Sequence, residues 1–141
     1  MKRSLLESVR VAPYVIGQPI DRIGALSAVL GINVSSADEG AAAVITVTHS
    51  DTDDGTYTAV EDKRIFLNAT VPEYDGGGNF VKSIVSVPVE SAQLVNVDID
   101  IVGCKQFVKI GVEYVADDGE SADVTATYAL CLGDFSDNPP V

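Results

Sequence analysis

Apolar and polar residues alternate with a period of two over most of the chain after residue 41. In the segment AQLVNVDIDIV, residues 92–102, valine or isoleucine occupies positions 95, 97, 99 and 101, with asparagine or aspartate between them. Successive side chains of a β-strand point to opposite faces of the sheet. The pattern therefore predicts a strand with one buried and one solvated face.

Six further segments predict strands, at residues 42–49, 56–60, 63–70, 80–89, 105–116 and 122–132, and residues 9–16 or 27–34 could supply an eighth strand. The same alternation predicts inward-facing side chains in three of them: Val81, Val85, Val87 and Val89; Val108, Ile110, Val112 and Tyr114; Val124, Tyr128, Leu130 and Leu132. Pro88 has no N–H to donate to a neighbouring strand, so a sheet edge or a strand end is predicted there.

Turn-forming sequences separate these segments, namely SDTDDG, PEYDGGGN, VGC and ADDGES. Because no helical period follows residue 40, the chain is predicted to be all-β, an antiparallel sandwich or barrel. Residues 19–31 fit either a short helix or an extended arm. We expect one domain, with an N-terminal arm and first strand elements in residues 1–40, a β-sandwich core in 41–133 and a C-terminal tail in 134–141.

The formal net charge of −12 is distributed unevenly. Four cations and two carboxylates lie in the first 22 residues, so the leader is basic and the rest of the chain is strongly acidic. An acidic body argues against direct nucleic-acid binding, which depends on cations placed against phosphates. The leader is either a solvated terminus or an arm that docks on an acidic neighbour. Its cations are the candidate partner contacts: Lys2, Arg3, Arg10 and Arg22.

The two cysteines do not have the spacing of a metal site or a redox motif. Cys104 and Cys131 each lie in an apolar alternating segment, which predicts small buried side chains. The first 17 residues, MKRSLLESVRVAPYVIG, lack the continuous apolar core of a signal peptide. No run approaches the roughly 20 apolar residues of a membrane span. We therefore expect a protein that is neither exported nor inserted in a membrane.

The sequence SDTDDGT could be a calcium loop or the turn of a hairpin. An EF-hand loop with Gly55 at its sixth position would have serine and threonine at positions 1 and 3, where calcium needs better ligands. The flanking residues also predict strands, which favours a hairpin. An unconventional calcium site of Asp51, Asp53 and Asp54 is the alternative.

Residues that could catalyse a reaction are few. His49 is the sole histidine and adjoins Ser50 and Asp51, but three consecutive residues project in different directions and cannot form a catalytic triad. The chain has no GxSxG, HExxH, P-loop or dinucleotide-binding motif, and nothing selects a pair of carboxylates for glycosidase chemistry. We therefore expect no enzymatic activity, no metal and no cofactor.

Three sequence patterns in a fixed order suggest a family. They are a hairpin with the pattern S-D-x-D-G, a strand that begins with the pattern G-x-K, and a terminal leucine-glycine pair. The residues concerned are Ser50, Asp51, Asp54, Gly55, Tyr57 and Val60; Gly103, Lys105, Phe107, Val108, Lys109 and Ile110; Leu132 and Gly133. In these patterns and in size the chain resembles the cement (capsid decoration) proteins of short-tailed bacteriophages of the Bordetella phage type. The likeness covers most of residues 41–133.

The resemblance implies a jelly-roll sandwich that pairs as a homodimer outside the icosahedral shell and clamps neighbouring major capsid subunits. Such a protein would be made in the host cytoplasm and would end in the virion. The basic leader would then touch the shell or the paired subunit. Two alternatives from other classes are a phage tail or fibre component and a calcium- or carbohydrate-binding β-sandwich module.

Overall fold

In the computed structural model, which describes residues 9–61, 65–66 and 70–133, the chain forms ten β-strands and no helix. The strands are β1 (Val9–Tyr14), β2 (Ile20–Asp21), β3 (Ser27–Ala37), β4 (Ala42–Ser50), β5 (Thr58–Ala59), β6 (Val71–Tyr74), β7 (Phe80–Pro88), β8 (Gln93–Asp100), β9 (Phe107–Val115) and β10 (Val124–Gly133). The predicted all-β class is confirmed. Consequently this part of the chain holds no helix that could span a membrane.

The strands form two antiparallel sheets. Sheet A has the order β1-β10-β3-β8, and sheet B has the order β2-β9-β4-β7-β6. The short strand β5 pairs with the C-terminal end of β4. The chain crosses between the sheets at every connection except those from β4 to β7. This arrangement agrees with the predicted β-sandwich.

Residues 9–37 contribute three strands to the sandwich. The eleven-residue β3 lies between β10 and β8, inside sheet A. Residues 19–31, which fitted either a short helix or an arm, instead contain β2 and the first half of β3. The sandwich therefore begins well before the predicted boundary at residue 41, while the first eight residues and the tail 134–141 lie outside the described residues.

The core lies between the two sheets and contains the inward side chains of both. Its largest fully buried members are Phe66, Leu30, Ile32, Ile45, Ile65, Ile99, Ile110, Val34 and Val108. The predicted inward side of β8 is confirmed, since positions 95, 97 and 99 are buried, as is Ile101 after it. Alternation therefore located most of the core correctly.

Two predictions of burial are wrong. Val81 is 47% exposed, because it lies near the start of β7 and lines an open groove with His49 and Phe80. Cys131 is only half-buried, because it alternates with the inward Leu130 and so points away from the core. Cys104 is buried as predicted.

The sheet edges are partly covered. Phe66 forms an isolated bridge with Ile99 of the edge strand β8, and the Asp100 N–H donates to the Ile65 carbonyl at 2.8 Å. The strand predicted for residues 63–70 lies mostly outside the described residues. Pro88 is the last residue of β7, beyond the stretch that pairs with β6, which confirms the prediction of a strand end.

Candidate functional site

The turn SDTDDG is part of a hairpin at one end of the sandwich. β4 and β5 pair in antiparallel register, Thr48 with Ala59 and His49 with Thr58, so the hairpin interpretation is confirmed. Two further loops, residues 22–26 and 101–106, lie at the same end because β4 ends beside the start of β9. We call this the Lys105 end, defined by loops 22–26, 51–57 and 101–106.

Gly55 is needed in this hairpin because two hydroxyl groups occupy the space of a side chain. A Cβ at this position would lie 2.6 Å from Ser50 Oγ and 2.4 Å from Thr52 Oγ1. The Ser50 hydroxyl is itself buried and accepts a hydrogen bond from the Thr52 N–H at 3.3 Å. Among the described residues, no group of three or more His, Cys, Asp or Glu side chains could hold a metal ion.

His49 joins the hairpin to the loop that precedes β9. Its Nδ1 accepts a hydrogen bond from the Lys105 N–H at 3.1 Å, which requires the neutral imidazole. Burial, and then the nearby Lys105 ammonium, lower the pKa of His49, whereas the Asp51 carboxylate opposes them. The Lys105 Nζ also lies 3.6 Å from Asp51 Oδ2. His49 therefore links the end of β4 to the loop before β9.

Arg22 joins the loop after β2 to the same segment. Its Nε donates to the carbonyls of Cys104 at 2.9 Å and Lys105 at 3.0 Å, and its Nη1 donates to the Ala25 carbonyl at 2.9 Å. Nη2 makes a further bond to the Cys104 carbonyl. The planar guanidinium suits such a fork of acceptors better than an ammonium would. Arg22 is thus a structural crosslink between two loops.

The other candidate contacts are placed differently. Arg10 is an exposed residue of the edge strand β1, opposite Leu132 of β10. Lys2 and Arg3 lie outside the described residues. Of the four leader cations, the structure thus describes Arg10 on β1 and Arg22 in the loop after β2.

The residues that carry the family resemblance meet at the Lys105 end. Besides the Lys105 contacts, the Lys109 Nζ lies 4.0 Å from the centre of the Tyr57 ring, a cation–π contact. The Tyr57 hydroxyl donates to the Asp53 carbonyl at 2.9 Å. Gly133, at the end of β10, accepts a hydrogen bond from the Leu26 N–H at 3.1 Å. Segments separated by some 50 and 80 positions along the sequence thus form one spatial unit.

The opposite end of the sandwich, the acidic end, consists of loops 38–41, 89–92 and 116–123. Its seven carboxylates have no lysine or arginine among them: Asp38, Glu39, Glu90, Asp117, Asp118, Glu120 and Asp123. The loops are nevertheless fixed, since Asp38 Oδ2 accepts from the Asp123 N–H at 2.9 Å and Ser91 Oγ accepts from the Ala37 N–H at 3.0 Å. This end is therefore strongly negative, and hydrogen bonds join its loops to one another.

The outer faces of the two sheets also differ in charge. Directly paired residues share a face, so the outward positions of β1, β10 and β3 are Val11, Pro13, Thr127, Ala129, Cys131, Ser27, Val29, Gly31 and Asn33. None of these positions is charged, whereas the edge strand β8 of the same sheet carries Asp98 and Asp100 on its outer side. We call the surface of β1, β10 and β3 the sheet A face. The outer side of sheet B has Lys109, Glu113 and the pair Lys82–Glu73, whose charged atoms are 3.8 Å apart.

The sequence alone did not reveal either surface. The charge-free face requires the register of β1, β10 and β3, whose residues are about 100 positions apart. Comparisons of the chain with models of protein families, with curated proteins and with solved structures find no match.

Proposed function

We propose that this chain is a structural virion protein that binds the outside of a bacteriophage capsid and stabilises it by clamping neighbouring major capsid subunits. The observation that carries the proposal is the convergence of the resemblance residues. The hairpin and the G-x-K strand meet at the Lys105 end through the contacts of Lys105 and Lys109. The terminal glycine reaches the same end, where its carbonyl accepts from the Leu26 N–H. Chance matches to a family pattern have no reason to assemble in space.

The strand order supports the same proposal. Strands β1-β10-β3-β8 in one sheet and β2-β9-β4-β7 in the other give eight strands that alternate between sheets at most connections. Jelly rolls are double sheets of eight strands with two Greek keys. We interpret the sandwich as such a jelly roll, with β5 and β6 inserted between its fourth and fifth strands.

The distribution of charge suggests an orientation on the particle. The described cations all lie in the half of the sandwich nearer the Lys105 end: Arg10, Arg22, Lys82, Lys105 and Lys109. The exposed apolar residues Ile23 and Val102 lie in the loops of that end. In this proposal the Lys105 end faces the shell, and the acidic end faces solvent and keeps particles apart.

The leader has a place in this orientation. Val9, the first described residue, pairs with Gly133 at the Lys105 end. The shell partner would be the major capsid protein of the same virus. Because Arg22 has a structural role, Lys2, Arg3 and Arg10 are the stronger candidates for direct contacts. Repetition of weak contacts over many symmetric positions would then give stable decoration.

The test is a density-gradient separation of lysate from producing cells, with the chain quantified in each fraction by mass spectrometry. We expect it to co-migrate with DNA-filled particles at a copy number close to that of the shell subunit. A few copies per particle would instead indicate a tail or fibre component. Absence from all particles would contradict both the capsid-binding role and the tail or fibre role.

A matched pair of variants tests the orientation. Val102, 57% exposed at the Lys105 end, is changed to Glu, and Ser121, exposed at the acidic end, receives the same change. Binding of purified protein to particles that lack it should fall at least about tenfold for V102E and stay unchanged for S121E. Equal effects of the two variants would contradict the orientation. A deletion of residues 1–8, which leaves β1 intact, measures how much the leader contributes to particle binding.

A further inference from the structure

Sheet B divides into two branches near the Lys105 end. β4 pairs with β9 along one side and with β7 along the other, as far as Thr46 and Ile84. Beyond Thr46 this second side of β4 pairs with β5 instead, while β7 continues beside β6. Between the two branches lies an open groove of about 630 Å³, with residues 58–61 on one wall and residues 80–81 on the other. We call it the fork groove, and its volume is that of a ligand site, about 300–1,000 Å³.

Two strand edges border the fork groove without a partner in the described part of the chain. β7 pairs with β6 through residues 80–84, but its other side pairs with β4 only from Ile84 onward. β5 pairs with β4 on one side, and no described strand pairs with its other side. The peptide groups of an open strand edge can form hydrogen bonds with an added strand. Both walls of the groove therefore offer main-chain donors and acceptors.

A buried hydroxyl marks the point where the two branches separate. Ser83 is the first residue of β7 beyond the ladder with β4, and it is 4% exposed. Its Oγ is a buried polar atom without a hydrogen-bond partner among the described residues. Ser83 lies on the same side of β7 as Val81, which lines the groove, and is two positions nearer the core. A polar group bound at the closed end of the groove would satisfy this hydroxyl, which is unfavourable while unpaired.

The side chains of the groove combine apolar and acidic character. Val60 is buried and Val81 is 47% exposed, so together they form an apolar surface. Their chain neighbours Glu61 and Phe80 supply a carboxylate and an aromatic ring, both of which suit a lysine or arginine side chain. His49 also lines the groove, and because its Nδ1 accepts a backbone hydrogen bond, its proton lies on Nε2 and can be donated.

We infer that the fork groove binds an extended segment of another protein in which basic and apolar side chains alternate. The segment runs antiparallel to β5 and β7, as β4 does, and pairs with their open edges. Its apolar side chains pack on Val60 and Val81, and its basic side chains face Glu61 and Phe80. The net charge of −12 attracts such a segment. Open strand edges on both walls favour a peptide over a small molecule, because a main chain matches their rows of donors and acceptors.

The first test measures binding of the synthetic peptide acetyl-KVKVKV-amide to the purified full chain by isothermal titration calorimetry. Its control, acetyl-KKKVVV-amide, has the same composition and charge without the alternation. We expect saturable binding of KVKVKV, with a dissociation constant at least about tenfold below that of KKKVVV. Equal affinities would show attraction by net charge alone and would overturn the inference, as would no binding of either peptide. Because no particle is involved, this inference and the capsid role can fail separately.

A matched pair of variants locates the binding site. Val81→Arg places a longer, cationic side chain in the fork groove, and Val71→Arg makes the same change on β6 at a similarly exposed position. Affinity for KVKVKV should fall at least about tenfold for V81R and change less than about twofold for V71R. Equal losses, or no loss for V81R, would contradict binding in this groove.

A second pair of variants tests the role of the carboxylate. Glu61→Gln and Glu39→Gln remove the same charge, but Glu61 lines the fork groove and Glu39 lies at the acidic end. Affinity for KVKVKV should fall about threefold for E61Q at low salt and stay unchanged for E39Q. Equal effects of the two variants would mean that the peptide senses only the net charge.

Hydrogen exchange tests the main-chain pairing directly. Amides within residues 80–83 should exchange more slowly when KVKVKV is bound, because bonds to the added strand protect them. Amides of β1, on the other sheet, should exchange at an unchanged rate. Binding without new protection in residues 80–83 would contradict strand addition.

Discussion

Loops that bind one another close both ends of the sandwich, but the two ends differ in charge and in the groups that make the contacts. At the Lys105 end, cationic side chains donate to carbonyls or pair with a carboxylate, as Arg22 does with Cys104 and Lys105 with Asp51. At the acidic end, hydroxyl and carboxylate oxygens accept from backbone N–H groups, and no cation lies in those loops. The described cations of this acidic chain thus lie in the half of the sandwich where loops distant in sequence are held together.

The difference implies different consequences of substitution at the two ends. A buried or half-buried cation that donates several hydrogen bonds is costly to remove, because its acceptors lose their partners. An exposed carboxylate without a partner contributes little to stability. The Lys105 end should therefore respond strongly to single changes, and the acidic end weakly.

The largest effect is expected for Arg22→Ala. Three backbone carbonyls, those of Ala25, Cys104 and Lys105, would lose a charged donor, at a cost of about 2 kcal/mol in the free energy of unfolding. For a chain of this size that corresponds to a fall in Tm of about 6 °C, measured by calorimetry. R22K should recover only part of the loss, because one ammonium cannot match the fork of acceptors.

The control for this change is Glu39→Gln at the acidic end. Glu39 is exposed in loop 38–41, and its substitution should change the free energy of unfolding by less than about 0.5 kcal/mol. If R22A and E39Q lowered Tm equally, the contrast between the two ends would be wrong.

A second, smaller effect separates two glycines of the Lys105 end. Gly55→Ala forces Ser50 or Thr52 to move and should cost about 1–2 kcal/mol in urea unfolding. Gly103 has no heavy atom within 4 Å of the position of its Cβ and no positive φ, so G103A should be nearly neutral. A loss as large for G103A as for G55A would mean that close packing against Ser50 and Thr52 does not explain the requirement for glycine at position 55.

Much of the fold could be predicted from the sequence, because burial on one side of a strand imposes a period of two on its residues. This period predicts the inward residues of β8. The segments that it marks at 105–116 and 122–132 also agree closely with β9 and β10. The period does not identify neighbours, however. The pairing of Val11 with Cys131, or of Ser50 with Phe107, depends on which strands meet, and local sequence does not encode that.

The candidate site was predictable only in part, for the same reason. The hairpin around Gly55 is a local feature, and its turn residues identify it. The role of Arg22 is not local, because its acceptors lie 82 and 83 positions away. The distribution of charge predicted that Arg22 belongs to a basic leader that contacts a partner. Its hydrogen bonds instead join the loop after β2 to the loop before β9. The charge-free face is likewise a property of three strands together.

The smallest predicted effect concerns pH. Burial and the Lys105 ammonium lower the pKa of His49, so between pH 7.5 and 5.5 the unfolded chain binds a proton that the folded chain resists. The contribution of His49 to stability is therefore complete above its unfolded pKa of about 6.5 and declines as the pH falls below it. His49→Asn keeps an acceptor for the Lys105 N–H but does not titrate, so its urea midpoint should fall less over this range. Because His49 is partly exposed, we expect a difference below about 1 kcal/mol. Parallel pH profiles for the two proteins would show that the Lys105 N–H contact does not depend on the neutral imidazole.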